Sequence, residues 1–461
     1  MATMYKTKEE VLEKAKTILS KTFRQLISAE TAKAIEDQSR VYGANRKGFL
    51  GDSIEKYFFE INPGNVSRPD FTAAGVELKV TPLKKVRENK LVSKERLVFS
   101  MINYDSIVGE NWNESTFLKK NKLLLLMFYL WIGDINILDY EFKFVHLLNL
   151  IDDISREDTF QIQKDWEYIV SKIKRGEAHL LSEADTYFLG ACTKAANSQV
   201  SREQPMNRIP AKPRAFAFKQ QYINYLIQTR FFGQRANTDS IFKKLRRIET
   251  IEDVIREKFS HFLGQTDREI LNKLGYALTT TPKNYKRLIV NRILGVTSNK
   301  IEELEKANIT LRVVTLEHTG KLKESISFPA FDYKELVAQL WENDLDETMA
   351  DFHLQLETKK FLFVIFQKQK NSNDIILKKI VFWNFPMKDL PEAERVWQKT
   401  IDCISVGEYG DLPKIRDSKV AHVRPHGKNS LDTLETPQGT QEIKRCFWLN
   451  AKYIEQAINA S

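Results

Sequence analysis

Residues 68–82 read RPDFTAAGVELKVTP. The latter part is strand-like. Val76, Leu78 and Val80 alternate with Glu77 and Lys79, so a β-strand would bury the first set and project a carboxylate and an ammonium from the other face. Asp70 lies seven residues before Glu77, and a reversal of the chain at TAAG would return it to the same neighbourhood. Just upstream, GDSIEKYFFEI carries Ile54, Tyr57, Phe58 and Ile61 at helical spacing behind an Asp52 or Ser53 cap, so Glu55 can swing a further carboxylate toward the pair. Carboxylates gathered in this way hold hard divalent ions, and Mg2+ is the usual choice with oxygen ligands. A nearby ammonium can position an attacking water or steady the charge of a pentavalent phosphorus. The same D-x6-E-x-K spacing recurs at Asp134, Glu141 and Lys143. An amphipathic strand with one wet face satisfies either triad, so spacing alone does not choose between them.

The rest of the chain bounds that chemistry. At 461 residues it exceeds one comfortable core, which predicts two domains or three. A formal net charge of +10 makes a polyanion the first partner to consider, and dispersed surface lysines would give the same total. Cys192, Cys403 and Cys446 are far apart with no CxxC pair, which disfavours zinc fingers and disulfide frameworks and suits a reducing compartment. The charged, helical opening is no signal peptide, and no apolar run reaches membrane-spanning length, so the expectation is a soluble, cytoplasmic protein with no membrane partner. No P-loop, HExxH or GxSxG elbow is present. His422 and His426 in HVRPH can face together, but two imidazoles without further ligands fit a surface or a DNA contact better than zinc.

Outward from the opening stretch, the apolar LLLLMFYLWI reads as a buried central strand and FQIQKDWEYIVSKIKRG as a helix. A basic, proline-containing stretch follows, with Arg202, Arg208, Lys212 and Arg214. Then the order repeats. ANITLRVVTLEHTGKLKESISFPAFDY echoes AGVELKVTPLKKVRENKLVSKERLVFSMINY, KKFLFVIFQKQ echoes KKNKLLLLMFYLW, and Trp397 takes the place of Trp166. Recurrence of several elements in one order implies a duplicated α/β domain. The division expected is a first domain over 1–235, a helical connector over 236–258 that includes KKLRR, and a second domain over 259–461.

GDSIE, PDFTAAGVELK and CTKAANS together resemble the MutH and type II restriction endonuclease family with the PD-(D/E)xK nuclease core, and most nearly its two-domain branch that cuts at GATC. The resemblance covers nearly the whole chain and favours the first triad over the second. It implies two tandem MutH-like domains, each a mixed β-sheet flanked by helices, and Mg2+-dependent double-strand cleavage of duplex DNA before the G, leaving 5′ overhangs. By position it implies catalytic roles for Glu55, Asp70, Glu77 and Lys79, with the three acids as metal ligands. A further lysine entering the central strand is Lys120 or Lys122. The base-reading loop of the family looks like ACTKAANS, with Lys194 and Asn197, and basic loops ending at Arg214 would grip phosphates. In the second half the corresponding loop offers Arg424, His426 and Lys428, and Trp448 follows Phe447 where the family has an aromatic. There Thr310 and Arg312 replace Glu77 and Lys79, Glu303 falls near the place of Asp70, and no acid occurs between Thr279 and Asn299. The expectation is one cutting domain and one inactive DNA-binding domain that acts as an allosteric or pseudo-dimer partner, with self-association on DNA carrying two sites. The alternatives are a MutH-type strand nickase and a non-catalytic DNA-binding protein.

Overall fold

Strand β1 (Glu77–Lys85) forms where alternation implied it, and the order of strands around it defines the first sheet. With β2 (Leu91–Ser93), β3 (Leu97–Met101), β4 (Leu123–Leu130) and β5 (Phe142–Asn149) assigned, that sheet runs β2-β1-β4-β5. β1 and β4 are parallel, while β1–β2 and β4–β5 are antiparallel. The sheet is therefore mixed, and its centre is the uninterrupted apolar run. Leu124, Leu125, Leu126, Met127 and Phe128 are fully buried, as a strand covered on both faces requires. Leu125 and Met127 share a core with Val11, Ala15 and Ile18 of the N-terminal segment and with Phe49, Leu50, Ile54 and Phe58. A second, antiparallel sheet has the order β3-β9-β6, from β6 (Leu189–Thr193) and β9 (Arg214–Phe218), with the hairpin β7 (Arg202–Gln204) and β8 (Asn207–Ala211) inserted between them in the chain. The Arg156–Lys174 helix is fastened to β6 by Asp165, whose buried carboxylate accepts the N–H groups of Tyr187, Phe188 and Leu189 at 3.1, 2.6 and 2.9 Å.

These descriptions come from a computed structural model that describes residues 5–42, 48–64, 67–133, 135–194, 199–234, 238–242, 247–276, 282, 284–342 and 349–460. The described residues fall into two compact units. One lies within Met1–His179, Thr186–Lys194 and Ser201–Ala236, the other within Leu180–Asp185, Ala195–Val200 and Asn237–Ser461. The second unit repeats most of the first, without a counterpart of β2 among the described residues. β10 (Ile309–Leu316) runs parallel to β12 (Lys360–Lys368), which is antiparallel to β13 (Ile375–Asn384). β11 (Ile326–Ser327), β14 (Ala421–Pro425) and β17 (Arg445–Leu449) form a sheet of order β11-β17-β14, with the hairpin β15 (Thr433–Glu435) and β16 (Gln441–Ile443) between β14 and β17 in the chain. Its long helix, Leu390–Val406, carries Trp397 buried in the core of that unit. Register agrees as well as order. Glu77 pairs with Leu124 and Lys79 with Leu126, and in the second unit Thr310 pairs with Phe361 and Arg312 with Phe363.

Two elements of the fold depart from the sequence reading. The helix bearing Glu55 starts earlier than an Asp52 or Ser53 cap implied: Phe49–Ser53 is α-helical behind Gly48, and Ile54–Phe58 continues as a wider π-helical turn. The stretch read as a separate helical connector belongs instead to the second unit. Asp239 bridges Ile301, and among the described residues of this stretch the helix is Ile251–Ser260, with Arg256 over the Phe382 ring of β13 at 5.5 Å. Most of KKLRR, at 243–246, lies outside the described residues.

One glycine sets the entry to β1. Phe71 and Val76 bridge each other across the TAAG reversal, and Gly75 closes it at φ +67°, a left-handed conformation with open space where a Cβ would stand. Strain rather than collision is what a side chain there would cost. Gly75→Val is expected to lower unfolding free energy by about 1–3 kcal/mol and to reduce cleavage further than stability alone explains, because the turn sets Asp70. Urea unfolding and plasmid cleavage measured on one preparation check this.

Candidate active site

Glu77 begins β1 and is 2% exposed, an uncommon place for a carboxylate without a task. Its Oε1 accepts a hydrogen bond from Lys79 Nζ at 2.8 Å and faces Lys120 Nζ at 3.5 Å. Its Oε2 is buried with no hydrogen-bond partner. The period of the strand puts Glu77 and Lys79 on one face as read, and Lys79 also donates to the Phe99 carbonyl at 3.4 Å. Asp70 arrives through the TAAG reversal, its Oδ2 accepting from the Leu78 N–H at 2.9 Å. Glu55 lies on the π-helical turn, half-buried, near enough to feel the charges of Asp70, Asp52 and Glu77. Widened turns of this kind re-aim a side chain and are frequent at functional sites. Of the two lysines left open in the sequence, Lys120 approaches Glu77, whereas Lys122 is exposed. In the competing triad Glu141 pairs with Lys143 on a half-exposed strand edge, and Asp134 lies outside the described residues.

Burial and mutual repulsion shape the acids. Burial, then the charges of Asp70, Asp52 and Glu77, push the Glu55 carboxyl up to about 8. Burial, then Glu77, push Asp70 up to about 6, although the Leu78 N–H and the two lysines pull the other way. Among the described residues no three acidic, histidine or cysteine side chains converge closely enough to form a finished ion cage. A site with an unsatisfied buried carboxylate oxygen and two carboxyls that resist ionisation nevertheless fits a divalent cation, which relieves both conditions.

The sign of the pH dependence follows. With its pKa raised above the unfolded value near 4.5, Glu55 contributes most favourably while protonated, and that contribution is lost as pH rises toward 8. Allowing for partial exposure, the ion-free protein is expected to lose about 1–2 kcal/mol between pH 5 and pH 8.5 from this group. Glu55→Gln removes that loss. Thermal unfolding in a chelator at both pH values is the check, and an unchanged pH slope in the variant would contradict the assignment.

The DNA-reading candidates divide. Lys194 is exposed at the end of β6, its N–H donating to the Pro213 carbonyl at 2.8 Å; Asn197 lies outside the described residues. Arg202 and Arg208 are exposed on the β7–β8 hairpin, and Lys212 is half-buried. Arg214 must be corrected. It is 2% exposed and its Nη1 donates to the Ala191 carbonyl at 2.8 Å, so it ties β9 to β6 and is not presented to a phosphate. The second unit makes a surface from its counterpart. The Arg424 guanidinium lies 3.6 Å from the centre of the Trp448 ring, and His426 meets the same ring edge-on at 5.5 Å. Arg424, His426 and Lys428 are exposed. His422 is buried and bonded to Asn450, so the two histidines of HVRPH have separate environments. Sequence reading missed the Arg424–Trp448 stack. Strand register was the available signal, since His422 pairs with Trp448 and Arg424 follows on the same face.

The second unit lacks the acids as expected. Thr310 stands at the place of Glu77, and Arg312 stands at that of Lys79, its Nη2 reaching the Ser327 carbonyl at 3.4 Å. Glu303, expected near the place of Asp70, accepts from Ser240 Oγ and from the Ile241 N–H, so it holds a loop within the unit.

Comparison with known proteins bears on this geometry. The model of the family "DNA mismatch repair enzyme MutH" matches residues 59–165, which hold Asp70, Glu77, Lys79 and Lys120. The chain is 30% identical to the type II restriction enzyme Sau3AI of Staphylococcus aureus, over 98% of this chain and 99% of that enzyme. The chain belongs to the Sau3AI family of type II restriction enzymes. The DNA mismatch repair protein MutH of Shigella flexneri serotype 5b (strain 8401) is 25% identical over 50% of this chain but 95% of its own length, so it corresponds to about half of the enzyme. The enzyme is thus a restriction endonuclease with a MutH-like nuclease fold, and no described helix is long and apolar enough to cross a membrane.

Proposed function

We propose that the enzyme cuts both strands of double-stranded DNA at 5′-GATC-3′, before the G, with one Mg2+-dependent centre built from Glu55, Asp70, Glu77 and Lys79. The observation that carries the reading is the convergence on Glu77: a buried carboxylate with one oxygen between Lys79 and Lys120 and the other unsatisfied. Glu77, Asp70 and Glu55 would hold the cation, which supplies charge neutralisation at the phosphate and a more acidic water. In the hydrolysis a water oxygen bonds to phosphorus, the bond to the 3′ oxygen breaks, and that oxygen leaves with a proton. Lys79 is placed to meet the negative charge that grows on the non-bridging oxygens, and the Phe99 carbonyl and Glu77 keep its ammonium aimed. Lys120 provides a second cation on the same side.

The GATC assignment rests on the resemblance of the loops around Lys194 and Arg424 to GATC-reading loops. Arg424, stacked on Trp448, has its donors preset for a bidentate contact to guanine N7 and O6. The second unit, with Thr310 in place of Glu77, would bind DNA without cutting it and act as an allosteric or pseudo-dimer partner. A double-strand break then needs two chains or a second binding event. A strand nickase needs only one such unit, and the full-length likeness to a restriction enzyme argues against it.

Digestion of sequenced plasmids tests the reading. With Mg2+, fragment ends are expected at GATC with 5′ overhangs, and a two-site plasmid should be linearised several-fold faster than a one-site plasmid. Glu77→Ala should lose at least about 100-fold in cleavage while DNA binding persists. Ends at other sequences, or lasting nicks without breaks, would overturn it.

A further inference from the structure

On the strand that carries Thr310, the second unit has lost the carboxylate of Glu77 and kept a cation, Arg312, in the register of Lys79. Counting two residues back from the equivalent pairs Glu77–Leu124 and Thr310–Phe361 makes Lys359 the counterpart of Lys122. Lys122 is exposed in the first unit, whereas Lys359 is half-buried and close enough to Arg312 that the two repel. Burial, and for Lys359 that repulsion as well, lower the proton affinity of both. Among the described residues no carboxylate forms an ion pair with either, and the polar contact of Arg312 is the long one to the Ser327 carbonyl. The position of Lys120 is taken by Glu357, which is buried in the helix Asp351–Thr358. Two neighbouring cations, neither in an ion pair with a carboxylate among the described residues and one of them on an exposed strand position, are unfavourable alone and favourable around an anion.

We propose that Arg312 and Lys359, with Thr310 beside them, form a metal-independent subsite that grips one phosphate of bound DNA where the first unit would hold a scissile phosphate. The proposal rests on the reading of the second unit as a DNA-binding unit and names the contact that makes it one. The substitution of Thr for Glu is as informative as the arginine. Thr310 removes the anion that would otherwise occupy the guanidinium, so the phosphate can reach it directly, and no divalent ion is required. The second unit would then hold DNA in a chelator, under conditions in which the acids of the first unit repel it.

The test is equilibrium binding of the full chain to a GATC duplex in EDTA across a range of salt. Arg312→Gln with Lys359→Gln is expected to weaken binding about tenfold and to flatten the log–log salt slope by about 1–2. A neutral methylphosphonate walked along the duplex should weaken the parent protein at one phosphate and leave the double variant indifferent there. Thr310→Glu, which installs a competing carboxylate without deleting a cation, should weaken binding as well, and it decides the matter if the double variant unfolds early. If these variants bind as the parent does while Arg424→Ala binds poorly, the subsite is wrong and the second unit still binds DNA. If Arg424→Ala is also unaffected, the reading of the second unit falls with it.

Discussion

Like charges held together against their own repulsion are the constraint on which the first unit depends. Glu55, Asp70 and Glu77 come from a π-helical turn, a tight reversal and the first residue of a strand, and nothing local obliges three such segments to meet. The buried parallel pairing of β1 with β4, and the core shared by β4 with the segment around Ile54, bring them there. The consequence is carboxyl groups that hold protons too tightly and an oxygen with no partner. That electrostatic burden costs stability in the ion-free protein and would be relieved by the divalent cation of the proposed function.

Much of this was legible because a strand has period two. Glu77 and Lys79 could be assigned to one face, and β4 to the centre, from residue type alone. Duplication was legible too, since apolar strands, long helices and their tryptophans recur in order, and the structure repeats them in register. Where the sequence misled, periodicity was absent. RAFAF is buried at every position of β9, so nothing in the pattern distinguished Arg214 as an interior tie between strands from a surface cation. Lys120 and Lys122 straddle a helix end, where residue spacing does not define the phase between helix and strand. The connector failed for a related reason, because a basic helical pattern does not reveal which core its apolar face will join.

The two units show one scaffold loaded in opposite ways. In the first, an acid and a lysine adjoin on β1; in the second, threonine and arginine hold the same register on β10. Loss of one negative charge at the strand start, with the neighbouring cation kept, is the difference on which the proposed phosphate subsite rests. The loops diverge in parallel: the second unit stacks Arg424 on Trp448, whereas the first has Ala217 after Phe216 and an interior Arg214. Under the proposed function, catalysis and recognition would be separated between copies of one domain, and neither unit would have to satisfy both demands.

The most direct measurement is the anomalous scattering of crystals of the whole enzyme soaked in Mn2+. The account requires a peak between Asp70 and the free oxygen of Glu77, with Glu55 drawn toward it, and none beside Thr310. A peak in the second unit, or acids of the first that stay apart at saturating ion, would contradict it.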